Sequence, residues 1–112
     1  MIEVNEYVRT KDGIIGKVIK VLSNRVFLNS LGYAVLIKDI VNHSKWLIDL
    51  IEVGDIVEDE YNKYEVAFVK DDKIYCNDYN LDDSLITLRE QDIKAILTKE
   101  IYMANCYKVG GE

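Results

Sequence analysis

Proline is absent from this chain, histidine occurs once, and only two cysteines and six glycines are present. Each shortage removes a class of chemistry. Poverty in proline beside abundant Ile, Lys, Asn and Tyr is the bias of an AT-rich genome, so it speaks of origin rather than function. Cys76 and Cys106 are too few for a disulfide framework, and both are expected reduced in a cytoplasmic protein. His43 forms no ligand pair of metal-type spacing with either cysteine. It also lacks a neighbouring acid–base motif, and so reads as a surface or interface histidine. The glycines are scattered at turns, with no phosphate-binding loop and no nucleophile elbow. The chain therefore reads as non-enzymatic, with no cofactor and no metal. No apolar run approaches the ~20 residues that cross a bilayer. The start, MIEVNEYVRT, has neither a basic nor an apolar leader region, so no signal peptide is expected.

What is present is enough apolar residue, 49% of the chain, to bury a core in one domain or two very small units. A half of ~50 residues would be marginal alone, so two halves should pack together. Charge divides them. Residues 1–54 carry seven Lys/Arg against six Asp/Glu, +1; residues 55–112 carry seven against fourteen, −7. So acidic a stretch repels phosphate backbones and argues against direct nucleic-acid binding. It suits either a basic partner or a solvated face.

The chain reads as written twice. Val8 matches Val57, Asn29 matches Asn77, Asp39 matches Asp92 and Ser44 matches Thr98, at offsets of 49, 48, 53 and 54 residues. Units are placed at 1–53 and 54–112, packed as one domain. In the first, Asp12-Gly13 predicts a tight turn into the β-branched run from Ile14 to Leu22. That run is expected to bend at Gly16. Strands follow at Val26–Leu28 and Tyr33–Ile37. The second unit repeats this with Asp55–Val57, Tyr64–Lys70, Lys73–Asn77 and Leu85–Leu88, then a single helical turn near Arg89–Ile93. Ser44 and Thr98 each open a short stretch readable as capped helix, and the first, SKWLIDLI, also reads as strand. A last strand at Cys106–Val109 would take the place beside unit two that residues 55–58 take beside unit one. Short strands, polar turns and one helical turn before the last strand predict a mainly β fold of two SH3-like barrel units. The alternative is one larger barrel or sandwich.

Asp78-x-Asn80-x-Asp82 has the oxygen spacing that opens a calcium loop. Asp83 stands where that loop needs glycine and Arg89 where it needs glutamate, so a polar turn is the expectation. Trp46 is assigned to the core. Tyr61, Tyr64, Tyr75 and Tyr79 fall in the acidic half, and read either as barrel core or as interface anchors. The carboxylates Asp55, Glu58, Asp59, Glu60, Asp71, Asp72, Asp78, Asp82 and Asp83 fall mostly in turns and are expected at the surface. With Tyr61 and Tyr79 they make the candidate partner-binding set, a negative face matching a basic groove.

The segment Asn42-His43-Ser44-Lys45-Trp46-Leu47-Ile48-Asp49-Leu50-Ile51-Glu52-Val53-Gly54-Asp55-Ile56-Val57, with Ile74–Asn77 and Leu97–Glu100, resembles small proteins of phages and prophages of low-GC Gram-positive bacteria. That resemblance implies an accessory protein of a mobile element, acting inside the bacterial host. By analogy it implies an inhibitor of host defence such as an anti-CRISPR protein, masking the nucleic-acid groove of an effector. Two other readings stand beside it. One is a nucleotide- or small-molecule-sequestering protein, with a pocket between units drawing on Arg9, Lys11, Lys17 and Arg25. The other is a structural or regulatory phage component acting through its own oligomer.

Overall fold

The Lys11–Gly13 turn forms because Gly13 accepts a φ of +87°, a left-handed conformation costly to side chains with a Cβ. It joins β1 (Tyr7–Thr10) to β2 (Ile15–Val21). The computed structural model describes residues 1–78 and 84–105. In it β3 (Arg25–Leu28), β4 (Ala34–Leu36), a 3₁₀ turn (Ile37–Asp39) and β5 (Ile40–Ser44) complete a five-stranded antiparallel sheet in the order β4-β3-β2-β1-β5. A second 3₁₀ turn (Leu47–Leu50) leads into β6 (Ile56–Glu58), β7 (Lys63–Lys70), β8 (Lys73–Asp78) and β9 (Ser84–Arg89). A third 3₁₀ turn (Glu90–Asp92), β10 (Ala95–Leu97) and the helix α1 (Lys99–Asn105) follow. The second sheet runs β10-β6-β7-β8-β9. The fold is mainly β, as expected. Among the described residues no helix is long and apolar enough to cross a membrane.

The two sheets repeat one another strand for strand. Each places its fifth strand beside its first, with a 3₁₀ turn between fourth and fifth. The register carries the likeness to single residues. Val8 pairs with Gly16 and His43, and Val57 pairs with Tyr64 and Ile96. The second strand of each sheet breaks register at the same place, between Val18 and Lys20 and between Val66 and Phe68. Val8, Val18, Val26, Leu28 and Val35 form the first buried cluster. Their counterparts Val57, Val66, Ile74, Cys76 and Leu88 are all buried in the second. Each such side chain contributes roughly 1.5–3 kcal/mol when taken from water, so the same five positions anchor both sheets.

Three expectations are corrected here. Ser44 pairs with Tyr7, and the equivalent partner of Ile56 is Leu97, so the counterpart of Ser44 is Leu97 rather than Thr98. The irregularity of β2 falls after Val18, not at Gly16. Gly16 is buried, and a Cβ there would press on Leu28 and Ser30. Its small size serves close packing rather than a bend. SKWLIDLI is neither one strand nor a capped helix: β5 ends at Ser44 and a 3₁₀ turn starts at Leu47. That turn delivers Ile48 and Ile51 into the second cluster. The strand expected at Cys106–Val109 lies outside the described residues.

A buried ion network joins the halves. Arg9, on β1, is fully buried. Its Nη1 donates to Leu50 O at 2.8 Å and to Asp55 Oδ2 at 2.6 Å, and its Nη2 to Asp55 Oδ1 at 2.9 Å. Nη2 also donates to both carboxylate oxygens of Glu100 on α1, at 2.5 and 3.0 Å. Asp55, equally buried, accepts further from the backbone N–H of Glu52 and of Lys99. Burial alone works against the guanidinium charge, but the bonds from Asp55 and Glu100 outweigh it and hold the arginine pKa above its ordinary value. Beside this network the Thr98 hydroxyl donates to Gly13 O at 2.6 Å. Through its side chain Thr98 therefore ties the start of α1 to the first hairpin. A Cβ at Gly13 would fall on Thr98 Oγ1 and Glu100. Gly13→Ala is expected to cost about 1–3 kcal/mol or more from the backbone alone. Urea denaturation measures this, and an unchanged midpoint would show that the turn rearranges freely.

Candidate partner-binding surface

The hairpin joining β7 to β8 pairs Lys70 with Lys73, leaving Asp71-Asp72 as its two loop residues. Both have left-handed backbone, φ 53° and 62°, where the usual occupants are Asn and Gly. Two adjacent carboxylates thus project from a turn built against the preference of most side chains. Trp46 lines the same cavity, of about 530 Å³, as these two aspartates. Trp46 N–H donates to Ser44 Oγ, which sets the entry into the 3₁₀ turn, while its indole is 64% exposed. The assignment of Trp46 to the core is corrected: the apolar register of the turn belongs to Ile48 and Ile51, and Trp46 precedes it. Ile48, Lys73, Arg89, Glu90 and Gln91 complete the cavity wall. Glu90 is fixed there by accepting the Ile48 N–H at 2.9 Å.

Gln91 also lines a smaller hollow of about 180 Å³ with Asp59, Glu60, Tyr61, Leu88, Asp92 and Lys94. Asp59 organises this end. Its Oδ1 accepts the backbone N–H groups of Asn62 and Tyr61 at 2.7 and 2.8 Å, and these bonds hold its carboxyl below the usual carboxylate range. Tyr61 stands 82% exposed on the turn so made. The two hollows share Gln91 and so adjoin as one strip, with Trp46 lining the first and Tyr61 the second. Along it six carboxylates (Asp59, Glu60, Asp71, Asp72, Glu90 and Asp92) face three cations (Lys73, Arg89 and Lys94). The excess of acid makes the strip a surface for positive charge.

The structure brings together Asp59, Glu60, Tyr61, Asp71 and Asp72 of the expected set. Asp55 is removed from it, because Arg9 and two backbone donors bury it as a structural anion. Glu58 is half-buried on β6 and lines neither hollow. Asp78 ends β8 opposite Ser84, and Tyr79, Asp82 and Asp83 lie outside the described residues, as does most of the calcium-like run. Among the described residues no group of three His, Cys, Asp or Glu could hold a metal ion. The tyrosines divide: Tyr64 is buried, Tyr75 stacks on Phe68 with centroids 4.5 Å apart, and Tyr61 is exposed. His43 is exposed, and its Nδ1 is bonded to Glu6 at 2.9 Å. That bond is the main reason the Glu6 carboxyl lies below its ordinary range.

The four cations suggested for a nucleotide pocket do not converge. Arg9 is consumed by the buried network, Lys11 pairs with Asp39 at 3.2 Å, Arg25 sits opposite Leu36 on β3, and Lys17 lines a cleft between the halves. Cys76 is inert for a plain reason. Burial, and secondarily the Asp59 charge, push its thiol up to about 11. It is expected to resist a thiol-specific alkylating reagent in the native protein and to react fully in urea. Ready native labelling at Cys76 would contradict that burial. Trp46 and Gln91 are not legible as site residues in the chain, since folding across the halves sets Trp46, and the pairing of β9 with β8 sets Gln91, beside the acidic hairpin.

These features define a small, mainly β chain with a doubled sheet and an acidic concave face. No family model, no curated protein and no solved structure matches it.

Proposed function

We propose that this chain is a non-enzymatic binding protein, two SH3-like units acting as a scaffold for the acidic strip, which engages a basic protein surface of the kind that holds nucleic acid. The observation that carries the reading is the exposed Trp46 beside Asp71-Asp72. An indole left in water forgoes a large apolar gain, and two like charges in a left-handed turn cost further stability. Both costs are recovered when a cationic surface covers them. The indole then stacks on or beside arginine and lysine side chains, and the carboxylates pair with them. An aromatic residue in each hollow supplies the anchors typical of protein interfaces, and the charge beside them steers approach. On this reading the target is a nucleic-acid-handling effector of a bacterial host, whose groove the strip occupies in place of phosphates.

Immobilised full-length protein, exposed to bacterial lysate, is expected to retain a nucleic-acid-binding protein that added DNA or RNA displaces. Asp71→Lys/Asp72→Lys should retain none of it. Retention by the charge-reversed protein at wild-type level, or insensitivity to nucleic acid, would overturn groove masking.

A further inference from the structure

A second concavity, away from Trp46, lies where the halves meet. It has a volume of about 320 Å³. The first half contributes Tyr7 from β1, Ile15 to Lys17 from β2, and Asn29 and Ser30 after β3. The second contributes Ile93 to Ile96 at β10, and Leu47 of the connecting turn closes the cleft. Neither half alone encloses it. In a chain of net charge −6, its only charged lining residues among the described residues are two lysines, Lys17 and Lys94, one from each half.

The polar groups are set as donors. Asn29 Oδ1 accepts the Lys17 N–H at 2.9 Å, which orients the carboxamide and leaves its Nδ2 without a partner among the described residues. Ser30 Oγ makes only a long bond, 3.4 Å, to Ile15 O. Lys17 Nζ lies 5.6 Å from the Tyr7 ring centroid and pairs with no carboxylate among the described residues. Lys94 stands on the wall shared with the Asp59–Tyr61 hollow, which places carboxylates behind it but not in the cleft. The remaining lining is apolar, from Ile15, Leu47, Ile93, Ala95 and Ile96.

We infer that this cleft binds a small phosphate-bearing ligand with a flat apolar body, of the nucleoside monophosphate class. Two ammonium groups with the Asn29 amide and the Ser30 hydroxyl match the several acceptor oxygens of a dianionic phosphate better than the two of a carboxylate. The Tyr7 ring and the isoleucines match a base. The volume is at the lower end for ligand sites, so one nucleotide fits and a dinucleotide does not. The site shares Lys94 with the acidic strip and is otherwise built from different residues.

Titration of isotope-labelled full-length protein with adenosine monophosphate, followed by NMR, tests it, with adenosine and inorganic phosphate as separate probes. Saturable shifts are expected at Tyr7, Lys17, Asn29 and Ala95 below about 1 mM ligand. Lys17→Gln and Lys94→Gln, both on accessible side chains that leave the cores intact, should each weaken binding about five- to tenfold. Adenosine should bind at least tenfold more weakly than its monophosphate. Absence of saturable shifts, shifts located elsewhere, equal binding of adenosine, or wild-type binding by the doubly substituted protein would each overturn the assignment.

Discussion

Replacing Arg9 with alanine is expected to remove about 3–5 kcal/mol of stability, the usual cost of breaking a buried ion pair from one side. The carboxylates of Asp55 and Glu100 would be left without their cation, while Glu52 keeps Lys99 at 2.8 Å. Against a total of about 5–15 kcal/mol for a domain of this size, that loss takes a large share of the fold. The loss should be nearly independent of salt, because a buried pair is poorly screened. Arg9→Lys keeps the charge but not the planar fork that serves Asp55 and Glu100 together, so it should be intermediate. Urea denaturation followed by both Trp46 fluorescence and far-UV circular dichroism decides the matter. The wild type should unfold in one coincident transition. A change below about 1 kcal/mol for Arg9→Ala would mean that water or rearranged side chains replace the guanidinium at little cost.

Trp46→Ala is expected to do the reverse, leaving stability within about 0.5 kcal/mol while abolishing most of the affinity for the basic partner. An aromatic anchor of such an interface is worth about 2 kcal/mol or more, a loss of roughly thirtyfold. Asp71→Lys/Asp72→Lys should act through the association rate and flatten its dependence on ionic strength. Surface plasmon resonance at two salt concentrations separates these effects. Unaltered dissociation of Trp46→Ala would place the contact elsewhere on the molecule.

Much of the architecture is legible in the chain, and the reason is the repeat. Valines recur at 8 and 57 and at 18 and 66, because each occupies the inward position of a paired strand, where only an apolar branched side chain satisfies both packing and β geometry. Asp12-Gly13 announces its turn because the backbone demands glycine. The charge asymmetry likewise points to the second half, and the Asp59 and Asp71 turns do carry exposed acid. What misleads is local context. Asp55 follows Gly54 at the expected start of a strand and looks like a surface carboxylate, yet its fate is decided by Arg9, forty-six residues away. Trp46 adjoins an apolar run, but the 3₁₀ geometry of that run turns Ile48 inward and leaves the indole outside. Long-range charge pairing and the phase of a single short turn are not carried by neighbouring residues.

The Arg9 network also sets an order on the making of the protein. The chain emerges from the ribosome with its N-terminus first, and the first sheet has all five strands once Ser44 has appeared. Arg9 then points into a closing core with no anion to receive it. Asp55 follows soon after, but Glu100 comes ninety-one residues behind its partner. The nascent first sheet therefore holds an incompletely paired charge until residue 100 has been added, and its final stability arrives only with α1. Chains stopped before residue 100 should be bound by chaperones or degraded, whereas a chain that includes α1 locks both sheets in one step.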